Sequence, residues 1–342
     1  MNINKKIKNV KYFSTFLKRY FIIFMKHNAA IYLLSSRTLL LEKCLNNLFK
    51  NWNNKFNYPV YLHYFDNIYS QKYIEKINRT ISKNISFHQI EYKVPDHIHE
   101  KDLFYNKKNL RYVRESFPKK RLGYLHGERF WTNLTSYGEY GCVINELKKY
   151  DFLMRIDDDS NFKGKIDFDL FDILKTKPIA TAYMYNTYNY RVRDTRIGLW
   201  EFYKNYLKKY NYSPKNKLLK KAVEENNEQI MHSLYWTSGN CNLYNIQQFR
   251  KKPWDEYQEE LNKFGGHYKY RWGDLETIGL FCYTHFEMSP HNFDLKKKGL
   301  YDDKFPTILS SYAPGVGRGL NVHNFFILRW FNMLKFFFKK NY

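Results

Sequence analysis

Apolar positions along the chain form short runs whose spacing switches repeatedly between a strand-like period of two and a helix-like period near 3.6. Ala29 to Ser35 is a brief apolar run closed by Ser36 and Arg37. A helical pattern follows, in which Leu40, Cys44, Leu45 and Phe49 recur at i, i+4, i+5 and i+9. Tyr58 to Phe65 (YPVYLHYF) is strand-like, Ser70 to Ile81 is helical, and Ser86 to Tyr92 alternates as a strand. Strands and helices taking turns at these lengths predict a parallel sheet with crossover helices. After a loop-like stretch over about 93–122 the chain reads as helical up to Tyr150, then as a buried strand from Phe152 to Ile156. Another helical stretch is expected after Asp167, a strand from Pro178 to Tyr185, and polar helices rich in Lys and Asn over 197–232. Neither an internal repeat nor a Gly, Ser or Pro linker divides the chain, so the pattern predicts one continuous α/β domain.

Composition narrows the reading. The 342 residues carry 57 Lys and Arg against 33 Asp and Glu, a net charge of +24, and 20% are aromatic. Disordered basic chains are poor in aromatics, so this chain folds. With 15 Gly and 9 Pro, collagen-like and low-complexity classes are excluded. The charge points to an anionic partner: nucleic acid, a phosphate-bearing small molecule or a membrane surface. Cys44, Cys142, Cys241 and Cys282 lie too far apart for a zinc site. The apolar run from Tyr12 to Met25 is broken by Lys18 and Arg19, so a spanning helix is not expected. Residues 1–27 read as a basic extension and 28–310 as the domain. The remainder, 311–342, reads as a tail whose aromatic and basic residues from Asn324 to Lys340 suit either an interfacial helix or one packed on the domain.

Candidate chemistry begins where that strand ends. Arg155-Ile156-Asp157-Asp158-Asp159 follows an apolar run, and strand alternation puts Asp157 and Asp159 on one side with Asp158 on the other. Paired carboxylates at the carboxyl end of a parallel strand suit Mg²⁺ or Mn²⁺ bridging a nucleoside diphosphate, although a solvated acidic turn has the same composition. Further on, Gly265 to Glu276 combines turn glycines, the flat faces of Trp272 and neighbouring tyrosines, and an acid, Asp274, at a helix start, where it could serve as a cap. Gly123 to Trp131 reads as a turn leading into a helix.

Taken together, these segments resemble the fungal Golgi α-1,2-mannosyltransferases of glycosyltransferase family 15, over roughly residues 29–295. Lys55 to Pro59 matches the family's K-F-N-Y-P stretch, and Tyr124, His126, Arg129 and Phe130 match Y-x-H-x-x-R-F. Arg155 to Asp159 falls on R-V-E-P-D, and Gly265 to Asp274 on the block ending R-W-G-D. The resemblance implies a GT-A type fold, a single Rossmann-like domain with a mixed central sheet, using GDP-mannose as donor and Mn²⁺ (or Mg²⁺) as metal. It places Asp157 and Asp159 as metal ligands, and Asp158, replacing a Pro, makes the motif a D-x-D. A family His completing the metal site corresponds to His291, with His285 as the alternative. Arg37 and the adjoining Ser36, Arg129 and Trp272 fall to the nucleotide sugar, Tyr124 and Asp274 to the reacting sugars. The slot of the family's candidate nucleophilic Glu holds Asn242, and a neutral amide cannot form a glycosyl ester.

The function expected is therefore retaining, metal-dependent transfer of mannose to a glycan hydroxyl on a mannose-terminated glycan or glycoprotein. Three readings of Asn242 stay open: front-side transfer assisted by the leaving diphosphate, a register shift bringing in Glu276 or Glu228, or lost activity. A UDP-hexose donor and a basic nucleic-acid-binding protein are the rival functions; the second is disfavoured because the lysines are spread and no nucleic-acid motif is present, so no nucleic acid is expected as partner. The family implies a Golgi or secretory setting with membrane attachment, here at most peripheral.

Overall fold

The computed structural model describes residues 27–35, 38–65, 68–91, 93–106, 122–133, 145–158, 160–162, 165–181, 184–186, 195–237, 241–287 and 310–311. Its strands are β1 (Ala29–Leu34), β2 (Val60–Phe65), β3 (Ile85–Ile90), β4 (Phe152–Ile156), β5 (Ser160–Asn161), β6 (Ile179–Thr181), β7 (Met184–Asn186), β8 (Tyr235–Thr237), β9 (Cys241–Asn245) and β10 (Ser310–Ser311). Six of them build the central sheet in the order β3-β2-β1-β4-β9-β6. The first four run parallel, as the alternation predicted. β9 then pairs antiparallel to β4, and β6 antiparallel to β9, so the sheet is mixed. Small antiparallel pairs, β7 with β8 and β5 with β10, lie outside it.

Helices cover both faces. They are α1 (Thr38–Leu48), α2 (Gln71–Thr80), α3 (Leu122–Asn133), α4 (Leu199–Tyr210), α5 (Lys217–Glu224), α6 (Glu228–His232), α7 (Lys252–Phe264), α8 (Gly266–Tyr270) and α9 (Asp274–His285). Strand alternation sorts the core in two. Ile31, Leu33, Leu62, Met154 and Ile156 pack with Leu41, Cys44, Leu45 and Leu48 of α1 on one face. Ala30, Tyr32 and Leu153 pack on the other with Phe130, Trp131, Trp236, Trp254, Tyr257 and Phe281. Local signals set the helix ends: the Ser70 hydroxyl accepts from the Tyr73 N–H at 3.3 Å to open α2, and Pro253 sits in the first turn of α7.

Three expectations change. The stretch after Asp167 is a short 3₁₀ turn (Leu170–Lys175), and the helical region expected to run up to Tyr150 has α3 and a 3₁₀ turn (Asn145–Lys149) as its described parts. The strand expected over 178–185 is divided, because β7 leaves the central sheet to pair with β8. The expected extension is described only at His27, and the expected tail only at Ser311.

Burial makes the core sensitive to acid. His63 on β2 is wholly buried, packs tilted against Phe130 at 5.0 Å and faces His88 across the strand pair at 5.9 Å. Burial, and then the neighbouring His88, push its pKa down to about 3, while burial holds His126 and His285 down at about 4. The folded state thus keeps these rings neutral where the unfolded chain, with an ordinary pKa of about 6.5, takes up protons. Stability is full above that value and is lost as pH falls from about 6.5 toward 4. Thermal melts across pH 4–8 are expected to show that acid limb, and His63→Leu to flatten part of it; an unchanged limb would exclude His63 as a contributor.

Candidate active site

The site lies where β4 ends. Arg155 on β4 and Asp157 just past its end are two apart and so lean to one side, toward α3 and α9. The Arg155 guanidinium, its side chain 4% exposed, is held by the Asp274 carboxylate at the start of α9 and lies 3.3 Å from Asp157 Oδ1. It also rests over the Trp131 ring, 4.0 Å from the centroid. Asp274 and Glu276 both occupy the first turn of α9, where the helix N-terminus favours negative charge.

The three carboxyls of the acid motif and α9 differ in exposure. The Asp157 side chain is 26% exposed, whereas Asp274 is 7% exposed and Asp158 is buried. Asp158 faces the opposite side, as alternation predicted, and accepts from the Ser35 hydroxyl at 2.6 Å; Ser35 also meets the Tyr69 hydroxyl at 2.7 Å. Burial raises the Asp157 pKa to about 6, with Asp274 and Asp158 adding to the rise and Arg155 opposing it. Below, the Cys44 thiol donates to the Asp157 carbonyl at 3.4 Å.

A wider charged network surrounds this core. Glu128 on α3 accepts the Asp274 N–H at 3.2 Å and lies 3.4 Å from Arg271. Glu276 pairs with buried Arg196 at 2.9 Å; Arg196 in turn meets His232 at 3.1 Å, and His232 lies 3.3 Å from Glu228. Glu276 and Glu228, the two acids considered for a register shift, are therefore both held in this chain of charges. Asn242 stands on β9 directly opposite Arg155 in the ladder. It is wholly buried; its amide donates to the Tyr244 hydroxyl at 3.0 Å, and its carbonyl oxygen finds no hydrogen-bond partner among the described residues.

Other assignments change with geometry. Arg129 is buried between α3 and α7, where its guanidinium donates to Asn262 at 2.7 and 2.9 Å and to Gln258 at 2.9 Å. That fork ties two helices together and commits the guanidinium to the core. Trp272 is likewise buried, stacked on Phe264 at 4.7 Å with its N–H donated to the Ile197 carbonyl, so it offers no open face to a sugar. A Cβ at Gly266 would meet the Trp272 ring at 2.1 Å, so glycine makes this packing possible. His285 ends α9, about 16 Å along the helix from Asp274 at 1.5 Å per residue. There it bonds the Tyr206 hydroxyl and packs on Phe281, which removes it as a metal ligand beside Asp157. Ser36, Arg37, Asp159 and His291 lie outside the described residues, as does the side chain of Tyr124, whose backbone is in the first turns of α3.

The donor set can be tested against a divalent cation. Among the described residues no three His, Cys, Asp or Glu side chains converge to enclose one. Asp157 nonetheless offers a part-exposed carboxylate crowded by two further acids, a place where added positive charge is favourable. That fits an Mg²⁺ or Mn²⁺ site which takes one or two protein carboxylates and fills its octahedron with water and phosphate oxygens.

Arg155 and Glu128 were given no role by sequence reasoning. Arg155 was visible as a lone cation inside an apolar strand, FLMRI, which requires buried counter-charge. Glu128 carried no comparable signal.

Comparison with known proteins gives this arrangement its context. The glycolipid 2-alpha-mannosyltransferase family model matches residues 2–286. Among curated relatives, glycolipid 2-alpha-mannosyltransferase 1 of Candida albicans is 23% identical over 68% of this chain and 52% of its own length. The O-glycoside alpha-1,2-mannosyltransferase omh1 of Schizosaccharomyces pombe is 25% identical over 68% of this chain and 58% of its own. The chain thus spans a little over half the length of these relatives. Among solved structures, the mannosyltransferase Ktr4p of Saccharomyces cerevisiae superposes with a TM-score of 0.60 at 20% identity, covering 77% of this chain and 67% of that one. Core-mannan synthase A of Aspergillus fumigatus, solved in an Mn/GDP form, gives 0.60 at 18% identity over 77% of this chain and 71% of its own. The α/β architecture with its mixed six-stranded sheet is the GT-A type. With the family model running from the N-terminal region through α9 and the shared fold beneath it, the chain belongs to the glycolipid 2-alpha-mannosyltransferase family, glycosyltransferase family 15.

Proposed function

We propose that the protein transfers mannose, with retention, from GDP-mannose to a glycan hydroxyl in a metal-dependent reaction. The observation that carries this reading is the Asp157, Arg155 and Asp274 cluster at the carboxyl end of β4, within a chain of this family. The Mn/GDP form of the Aspergillus relative supports the donor and the metal. Asp157, with Asp159 and His291, would hold the cation, which when bound neutralises charge on the leaving diphosphate. Arg155 keeps Asp157 and Asp274 in place, and Asp274 with Tyr124 orients sugar hydroxyls, a positioning role of large catalytic value.

Asn242 bears on the stereochemistry. Its neutral amide forms no stable glycosyl ester, and Glu276 is paired with Arg196, so a carboxylate nucleophile at that slot is not favoured. Front-side transfer fits better. The acceptor oxygen bonds the anomeric carbon on the face the diphosphate leaves, the bond to the β-phosphate oxygen breaks with its electron pair going to that oxygen, and the acceptor's hydroxyl proton follows it. No helix among the described residues is long and apolar enough to cross a membrane. A secretory-pathway location and peripheral membrane contact belong to the proposal.

A donor panel tests it. GDP-mannose is expected to be hydrolysed, and transferred to mannose-terminated acceptors, with Mn²⁺ and not with EDTA, giving the α anomer by NMR. Preference for UDP-glucose or UDP-galactose would overturn the donor, and nucleotide binding without turnover of any donor would make the protein an inactive sugar-nucleotide binder.

A further inference from the structure

Asn242 combines an anchored amide nitrogen with an unanswered oxygen. The side chain is wholly buried on β9, where Nδ2 donates to the Tyr244 hydroxyl at 3.0 Å and Oδ1 meets no donor among the described residues. A buried carbonyl without a donor is destabilising, and folded proteins keep few of them. Leucine has nearly the same shape as asparagine and would remove that cost, so the amide at this position calls for a use.

Its place in the sheet ties that oxygen to the site. Asn242 faces Arg155 in the antiparallel β4–β9 ladder, and Cys241 faces Ile156, the last residue of β4. Residues paired in this way project to one face of the sheet, with Cβ atoms about 4.5–5.5 Å apart. Asn242 therefore shares the face of Arg155, one residue pair in from the strand end that leads to Asp157. Tyr244, two residues deeper on the same face, holds the nitrogen side of the amide. Oxygen and nitrogen diverge in a planar amide, so Oδ1 is turned away from Tyr244. The strongest donor nearby, the Arg155 guanidinium, is engaged with Asp274 and Asp157. A neutral acceptor has nothing to offer a diphosphate, which is itself an acceptor, whereas a sugar hydroxyl brings the missing proton.

We propose that Asn242 binds the donor sugar: its Oδ1 accepts a hydrogen bond from a hydroxyl of the mannose, and Tyr244 fixes the orientation of the amide. This assignment rests on the transfer reaction proposed above and makes the amide a group that selects the sugar. Reaching the covered oxygen takes a side-chain adjustment of the kind common at binding sites.

The test sets the full chain beside Asn242→Leu, with GDP-mannose and its 2-, 3-, 4- and 6-deoxy forms as donors and Mn²⁺ present. Leucine keeps the shape and drops the oxygen, so the melting temperature is expected to hold or rise while kcat/KM with GDP-mannose falls about 10- to 100-fold. One deoxy donor is expected to cost the wild type a similar factor and to cost Asn242→Leu almost nothing further, because its partner is already gone. That coupling separates a sugar contact from packing or a trapped water, either of which leaves every deoxy penalty the same in the two proteins. Independently of turnover, the side-chain ¹⁵N amide resonance of Asn242, assigned by its absence from Asn242→Asp, is expected to differ between the GDP and GDP-mannose complexes. Unchanged deoxy penalties, full activity of Asn242→Leu, or an amide resonance identical in the two complexes would overturn the proposal. If the wild type turns over no donor, the transfer reading fails, and the amide resonance still decides whether Asn242 meets the sugar.

Discussion

Arg155→Met is expected to lower folding stability by about 3–5 kcal/mol, a large part of the total for most domains. The guanidinium is 4% exposed and sits between Asp274, itself 7% exposed, and Asp157. Burial alone would push the Arg155 pKa down, but Asp274 and then Asp157 more than offset it, so the cation is retained. Methionine fills much of the same volume and still packs on Trp131. What it cannot do is match Asp274, which is left as an unpaired buried charge beside Glu128. Removing both partners should behave differently. Arg155→Met with Asp274→Leu is expected to recover most of the loss, because replacing a buried pair by apolar groups removes the charge along with its partner. Arg155→Lys should recover little, since an ammonium cannot fork between two carboxylates. Urea denaturation of the three variants at pH 7 checks this through the midpoint at constant slope. A loss below about 1 kcal/mol for Arg155→Met would mean the pair behaves like a screened surface contact.

The first half of the sheet was legible because its signal is local. YPVYLHYF is a continuous β-forming run, and all six residues of β2 are buried. FLMRI followed by acids marked both β4 and the carboxyl end where the site lies. β9 was hidden for a physical reason. Its sequence, CNLYN, resembles loop in a chain rich in Asn, and its stability comes from antiparallel pairing with β4 and β6, partners distant in sequence. Residue type showed where chemistry was possible, and direction decided the use. Arg129 and Trp272 have the groups a nucleotide sugar needs, but Gln258, Asn262 and Phe264 arrive from α7, and α7 turns both inward. Asp158 is the opposite case: period-two alternation sends it away from Asp157, and the structure finds it there, bonded to Ser35. Glu128 was illegible because its partners, Arg271 and the Asp274 amide, lie more than a hundred residues away on a turn that no periodicity predicts.

Asp157→Asn separates chemistry from packing and is expected to lower GDP-mannose turnover about 100- to 1000-fold while leaving the fold intact. Asp274 and Asp158 are buried and engaged with Arg155 and Ser35, whereas Asp157 keeps a quarter of its side chain open at the strand end. Asparagine preserves that shape and leaves Arg155 its principal partner, Asp274. The change is therefore one of charge, and hard divalent cations depend on charged carboxylate oxygens. Stability should shift by less than about 1 kcal/mol, and could rise, because burial already raises the cost of ionising Asp157. Initial rates over a Mn²⁺ series, read beside the melting temperature, give the decisive comparison. A lost rate with the melting temperature kept assigns Asp157 to the metal and the diphosphate. Full activity at saturating Mn²⁺ would remove it from the reaction, and a rate that fell only in step with unfolding would make it a structural partner of Arg155. Asp158→Asn supplies the contrast: its carboxylate is buried against Ser35 on the other side of the strand, so its loss should register first in the melting temperature.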